Sequence, residues 1–455
     1  MTTLSALHTL RSLHATFHDP LQAIPPQAYH LPILRQRVLG RDVVYVMDPA
    51  LIREALAGQA EHTDKGDTVR RALGPALGEG LLTAEGENWR WQRRALAPLF
   101  RPAGLAQFRP AMEAAAEACC ARLRALPEGQ GVDVGAEMMR TTFDIIVRTM
   151  LGEETAQAAF APEAIGRSVT AYLKETRWAN LAGMLGLPEW LPHPGRLRAH
   201  RAAEGLRAAM LARVRGNAGG PLLEALRAAR DPQSGRAMTE TEIADNLVTF
   251  LTAGHETTAQ ALTWTLDLLS RHAEPARLVA EEVRGEAAEL PYTTQVFQEA
   301  LRLYPPVPML ARRVAAPFAL GDMELATGTL LIVPVFAVHR HTSLWEAPHV
   351  FDPERFAPAA GAERPRYAFL PFGAGPRVCI GAGFAQAEAL AVLRVLLREL
   401  RFLSLQAAAP VPCMELTLRP VHPVRLGVRR REGARQPPQA RRVTRPAAPS
   451  ARSTA

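Results

Sequence analysis

Cysteine is scarce in this chain of 455 residues: Cys119, Cys120, Cys379 and Cys413 are the only four. They form neither an even framework nor a metal-type spacing, so a disulfide scaffold and a structural zinc site are excluded. The adjacent pair lies in an alanine-rich helical stretch, where small apolar packing is its role. No run of about 20 uninterrupted apolar residues occurs, so no transmembrane anchor is expected, although transient contact with a membrane surface stays open. The opening residues, Met1-Thr-Thr-Leu-Ser-Ala-Leu-His8, lack the basic-apolar-small pattern of a signal peptide, and the expected location is the cytoplasm. No internal repeat is visible, which excludes a solenoid. Lysine is nearly missing too, with Lys65 and Lys174 the only examples, so arginine supplies the other cations throughout.

What is present is the composition of a globular protein with ample core, 48% hydrophobic and 22% charged. The net charge of +8 is concentrated at one end: residues 429–455 carry eight arginines and one glutamate, which leaves residues 1–428 at +1. That tail is rich in Pro, Ala, Gln and Arg without apolar periodicity and is expected to be disordered. It has no aromatic interleaving, so nucleic acid is not an expected partner. Near the start, the pattern predicts a helix from Leu4 to Phe17, a strand from Asp42 to Val46 and a helix from Pro49 to Ala57. From Arg90 to about Ala287 apolar residues recur every three or four positions, the signal of helix. Strands return between Phe318 and Val335 and between Ala407 and Gly427. The expected fold class is mainly α with a small β region.

The most informative run is Phe372-Gly-Ala-Gly375-Pro-Arg377-Val-Cys379-Ile-Gly381. A cysteine sulfur that ligates iron must be a thiolate, and backbone N–H groups aimed at it temper its charge. Gly375 and Gly381 let the backbone fold tightly enough for that. Phe372 covers the sulfur side, and Arg377 is placed to meet a carboxylate. The apolar run from Phe384 to Leu400 reads as a helix, which sets Cys379 before a helix N-terminus whose partial positive charge favours the thiolate. The bland alternative is a structural cysteine in a Gly-Pro turn. The pattern FxxGxRxCxG resembles that of the cytochromes P450. This resemblance implies a P450 fold, a single domain over residues 1–428 enclosing haem b. Cys379 is then the iron ligand, with Phe372, Gly373, Arg377, Ile380 and Gly381 beside the cofactor.

Other runs extend the resemblance over nearly the whole chain. Ala253-Gly254-His255-Glu256-Thr257-Thr258 falls in a long helix predicted from about Thr239 to Ser270, where a glycine, an acid and two threonines are locally unfavourable. Gly254 removes a side chain where a flat cofactor or O2 could approach, and Thr257 could bond back to a carbonyl and open a bulge. The run resembles the family's (A/G)Gx(D/E)T(T/S), which implies Thr257 as the hydroxyl organising protons at bound O2 and Glu256 as the acid relaying them. Taken alone, the run favours an ordinary helix with a back-bonded threonine, and only the Cys379 run beside it turns the reading to function; His255 reads as a packing or surface residue. Glu299-Ala-Leu-Arg302 pairs charges at i and i+3, and Arg355 in Phe351-Asp-Pro-Glu-Arg355-Phe adds a second guanidinium, resembling ExxR and PERF elements that hold the core. Trp89 and Arg93 have the WxxxR spacing, one helical turn apart, that lets both reach one haem propionate. The resemblance adds Arg312 or Arg313, and His339, as further propionate partners; which arginine serves is left open.

Expected pocket walls are the loop from Val69 to Leu82, the helix residues Phe250, Ala253 and Thr257, the segment with Val307 and Met309, and a hairpin about Thr417. The stretch from Leu181 to Pro192 is either a greasy entrance or buries itself. The function implied is a haem-thiolate monooxygenase using O2 on an apolar substrate. No flavin, nicotinamide or iron–sulfur motif is present, so electrons are expected from a separate ferredoxin or flavodoxin. The block from Ala253 to Pro306 is similar to bacterial carotenoid ring hydroxylases, with fatty-acid or terpenoid hydroxylation as alternatives. Rival classes are a peroxide-driven peroxygenase, against which the Glu256–Thr257 pair argues, and a non-catalytic haem sensor, for which residues 429–455 are too short an output domain.

Overall fold

The structure is a computed structural model and describes residues 19–38, 40–152, 196–216 and 219–431, without the side chains of residues 67–69, 71, 72, 151 and 196–199. The predicted helix from Leu4 to Phe17, the apolar stretch from Leu181 to Pro192, the Val69 side chain and most of the basic tail lie outside the described residues.

Among these residues the helices of eight residues or more are α1 (Gly66–Leu77), α2 (Gly86–Leu96), α3 (Arg109–Arg124), α4 (Val134–Leu151), α5 (Arg196–Arg215), α6 (Pro221–Ala228), α7 (Glu240–Arg271), α8 (Ala273–Arg284), α9 (Pro291–Leu303) and α10 (Ala382–Glu399). The axis of the molecule is α7, most of whose 32 residues are buried, as expected of a helix enclosed by neighbours on all sides. Its start is fixed by a capping box: Glu242 N–H donates to Thr239 Oγ1 at 3.3 Å, and the Thr239 N–H donates to the Glu242 carboxylate at 2.9 Å. Its buried threonines are satisfied within the helix, Thr249, Thr263 and Thr265 donating to carbonyls one turn back at 2.7–2.8 Å.

The main sheet orders its strands β1 (Ile33–Val38), β2 (Arg41–Val46), β8 (Leu330–Val333), β5 (Leu310–Val314) and β3 (Thr63–Asp64), with β2 and β8 parallel and the other pairs antiparallel. A three-stranded sheet joins β4 (Gly131–Asp133), β12 (Arg425–Arg430) and β9 (Leu400–Ser404). Two hairpins complete the β region: β6 (Phe318–Leu320) with β7 (Met323–Leu325), and β10 (Pro412–Met414) with β11 (Leu418–Pro420). One apolar cluster fills the space between the helices and a second lies under the main sheet.

Local departures from the sequence reading have local causes. The helix predicted from Pro49 to Ala57 is α-helical only over Pro49–Arg53 and widens into a π turn over Glu54–Gly58. Strand β1 was not anticipated; its alternation of apolar and charged residues is short and follows a proline-rich segment. The run read as tail does not begin at Arg429: Arg429 and Arg430 pair with Arg401 and Leu400, because β12 needs their backbone to complete its ladder with β9.

In the helical core, Glu388 of α10 is 1% exposed and its Oε2 has no hydrogen-bond partner among the described residues. Burial pushes its carboxyl up to about 8, opposed only by a hydrogen bond with Thr258 of α7.

Candidate haem site

The loop carrying Cys379 folds back on itself. Cys379 N–H donates to Phe372 O at 2.9 Å, Val378 N–H to Gly375 O at 3.0 Å and Gly373 N–H to Leu370 O at 3.0 Å. The glycines that permit this are Gly373 and Gly375, at φ +73° and +70°. At Gly375 a side chain would collide with the backbone of Leu56 and Ala57 in the π turn. Gly381, predicted to share the tight turn, has φ −85° and instead caps α10. Ile380 is half-buried against the helical core.

Cys379 is an exposed residue, yet burial pushes its thiol above the ordinary value, with the Gly381 N–H and the Arg93 guanidinium pulling it back. The two facts agree for a sulfur that lies at the edge of a hollow and is otherwise surrounded by protein. In the middle of α7, Ala253 is exposed between buried Thr252 and half-buried Gly254. Gly254 does not face this opening: a Cβ there would stand 3.2 Å from Ile146 Cδ1, so its bare backbone serves the packing of α4 against α7. Thr257 donates to Ala253 O at 2.7 Å, but α7 continues as regular helix, so the anticipated bulge is absent. Glu256 Oε1 accepts from Thr417 Oγ1 at 2.7 Å. His255 is buried, its Nδ1 against Leu251 O at 2.7 Å and its ring edge-on to Phe143, a packing residue whose charged form burial disfavours.

One rim of the hollow is crowded with cations. Arg377 lies over the Trp89 ring at 3.9 Å, donates to Ala84 O at 2.8 Å and pairs with Glu85. Burial and the neighbouring Arg312, Arg90 and Arg93 lower its pKa to about 10. Lys65, which the sequence reading missed, donates to Leu82 O and is pushed down to about 7 by burial, Arg377 and Arg312. Arg93 and Arg312 are likewise lowered by burial, and Arg93 has no hydrogen bond or ion pair with a described residue. Four cations with Glu85 as the nearby acid make an anion site, which suits the two propionates of haem. The clue to Lys65 was its rarity in a chain that otherwise uses arginine.

Arg313 is spent elsewhere, donating to both carboxylate oxygens of Asp64 at 3.1 and 2.7 Å. His339 is not available to a propionate. It is fully buried, its Nδ1 meets Arg302 O at 3.2 Å, its Nε2 accepts from Leu370 N–H at 2.9 Å, and burial with Arg302 and Arg340 holds its pKa at about 3. It therefore braces α9 against the cysteine loop as a neutral ring.

Glu299 and Arg302 form a fully buried pair at 2.6 and 2.7 Å, and Arg302 also donates to His339 O, Pro348 O and Val350 O. Arg355 Nε stands 3.6 Å from Glu299, whose Oε1 further accepts from Asp352 N–H at 3.0 Å. The pair is thus saturated with donors and acceptors, the condition for burying it.

Of the expected pocket walls, Leu82 and Met309 are half-buried, Val307 is exposed and Thr417 is buried. Phe250 packs edge-on against Phe100 at 5.4 Å and belongs to the core. A separate cavity of about 230 Å³ lies behind the cysteine loop between α9 and α10, lined by Phe297, Leu301, Phe372 and Gln386. It touches neither Cys379 nor α7 and is not this site.

The profile of the family described as Cytochrome P450 matches residues 24–428. Cyclooctatin synthase of Streptomyces melanosporofaciens is 31% identical over 420 residues, 88% of this chain and 90% of that relative. Cyclooctat-9-en-7-ol 5-monooxygenase of the same organism is 31% identical over 389 residues, 82% of this chain and 83% of that relative. The crystal structure of the cytochrome P450DA heme domain superposes with a TM-score of 0.76 at 25% identity, covering 88% of this chain and 90% of that one. The fold, the motifs and these likenesses agree: this chain belongs to the cytochrome P450 family of haem-dependent monooxygenases.

Proposed function

We propose that this monooxygenase holds its haem iron through Cys379, uses Glu256 and Thr257 to deliver protons, and hydroxylates an apolar isoprenoid ring. One observation supports the site assignment: the Cys379 thiol interacts with the Arg93 guanidinium, and Arg93 adjoins Arg377, which in turn adjoins Arg312 and Lys65. Bound haem supplies the activation of O2, so that RH, O2, two electrons and two protons give ROH and water.

The chain's own groups do the rest. Arg93, Arg312, Arg377, Lys65 and the Trp89 N–H anchor the propionates and so fix the plane of the ring. Thr257 offers a hydroxyl on the α7 face beside Ala253, and Glu256 is the acid one residue away that passes protons to it. Leu82, Val307 and Met309 give the pocket an apolar wall that excludes water and selects a hydrocarbon. Electrons come from a separate ferredoxin or flavodoxin.

For the substrate, the end ring of a carotenoid is favoured by the similarity of the run from Ala253 to Pro306 to carotenoid ring hydroxylases. A smaller cyclic terpenoid is the second reading, favoured by the relative whose name describes oxygenation at carbon 5 of a cyclic, unsaturated alcohol. The purified, haem-loaded enzyme with ferredoxin and its reductase is expected to add one oxygen atom to β-carotene, detected by mass spectrometry. Oxygenation of a cyclic terpene alone would move the assignment to the second reading. A carbon monoxide complex of the reduced protein without the red-shifted Soret band of a thiolate ligand would refute the role of Cys379.

A further inference from the structure

Both members of the proposed relay are engaged elsewhere in this structure. Thr257 gives its hydroxyl proton to Ala253 O at 2.7 Å, and Glu256 Oε1 accepts the Thr417 hydroxyl proton at 2.7 Å. A hydroxyl has one proton to give, so the Thr417 donor is committed to this acid. Successive residues of a helix point about 100° apart, so a Glu256 side chain held toward the β10–β11 hairpin is turned away from the Thr257 side chain.

The mount for that hydroxyl is firm. Thr417 is 3% exposed. Its neighbour Leu418 donates its N–H to Pro306 O at 2.9 Å and accepts from Trp264 Nε1 at 3.3 Å. Trp264 is stacked on Tyr304 at 3.8 Å, and the hairpin's other strand is held by Met414 N–H donating to Asp19 at 2.9 Å. The long Glu256 side chain is the movable partner. The Leu418–Pro306 bond also joins the hairpin directly to the Val307–Met309 wall, so the mount and the wall are one unit.

We propose that Thr417 is a positioning residue that parks Glu256 against the hairpin and keeps the Glu256–Thr257 relay disconnected in the resting enzyme. The inference rests on the relay reading given above. Its function is to suppress idle chemistry, in which O2 takes two electrons from the ferredoxin and two protons and leaves as hydrogen peroxide without oxidising substrate.

The test uses haem-loaded enzyme with ferredoxin, reductase and no substrate, comparing wild type, Thr417→Val, Thr417→Ser, Thr257→Ala and the double variant Glu256→Gln with Thr417→Val. Peroxide release is expected to rise about fivefold in Thr417→Val, the effect of losing one hydrogen bond on the population of the parked acid. Thr417→Ser restores the low rate, and Glu256→Gln removes the rise. Infrared difference spectra provide a readout independent of turnover: the Glu256 carboxyl band, identified by its loss in Glu256→Gln, shifts in Thr417→Val. Peroxide release in Thr417→Val no higher than wild type, a rise that survives Glu256→Gln, or an unshifted band overturns the parking role. If Thr257→Ala leaves the yield of product per electron unchanged when β-carotene is supplied, the relay itself is refuted, and the parking role with it.

Discussion

Replacing Glu388 by glutamine turns the buried carboxyl of α10 into a measurement of pH-dependent stability. The carboxyl is 1% exposed, and its folded-state pKa stands at about 8 against an ordinary 4.5. The folded protein therefore binds a proton that the unfolded chain has released over this window, so stability falls as pH rises from about 4.5 to about 8. Each pH unit inside the window costs roughly 1.4 kcal/mol at most, which gives about 2–3 kcal/mol between pH 5 and pH 7. Glutamine has no proton to lose, and its carbonyl can still accept from Thr258, so the variant lacks this slope. Urea unfolding of the haem-loaded pair at pH 5, 6, 7 and 8 is the assay, because the contribution of haem is common to both proteins and cancels in the difference. The difference is expected to move in favour of Glu388→Gln by that amount as pH rises. Parallel curves for the two proteins would show that Glu388 is not a neutral buried acid.

Arg302→Leu leaves Glu299 buried without its bidentate partner and three backbone carbonyls without their donor, so a loss of about 3–5 kcal/mol is expected, read as a lower thermal midpoint and lower haem content on purification. Arg312→Met and Lys65→Met are each expected to speed haem transfer to apomyoglobin by about tenfold, whereas Arg313→Met, whose partner is Asp64, leaves the transfer rate near wild type; equal effects at 312 and 313 would contradict the placement. His339→Leu is expected to cost about 1–3 kcal/mol of stability by stranding the Leu370 N–H, with no change in the pH profile of turnover between pH 5 and 8, since the ring titrates at about 3. A profile that loses a step near neutrality in that variant would restore a direct role for the histidine.

The parts of this protein that could be read from the chain are those whose chemistry is contiguous. The cysteine loop carries its turn glycines, its thiol and its arginine within ten residues, and the helix from Glu240 to Arg271 announces itself by periodicity. Contacts formed by distant segments were not legible. Thr417 reaches Glu256 only because the β10–β11 hairpin folds over α7. Lys65 joins the cation cluster because β3 pairs with β5 and brings residues 64 and 313 together. His339 was misassigned because a histidine in a suitable family position says nothing of its two nitrogens, which depend on where the Arg302 and Leu370 backbones come to rest. Gly254 was misassigned for a related reason: the need for a missing side chain was visible, but the neighbour that fills the space, Ile146, belongs to another helix.

The close approach of Gly375 to the backbone of Leu56 and Ala57 ties the aim of the sulfur to a segment more than three hundred positions upstream. A shortened protein that kept every motif residue but removed the Glu54–Gly58 turn would lose the wall on which the cysteine loop leans. With Cys379 as the proposed ligand, the geometry of the iron–sulfur bond would be set partly by this distant turn, and engineering around residues 54–58 becomes a route to tuning the iron without touching any group proposed to contact it.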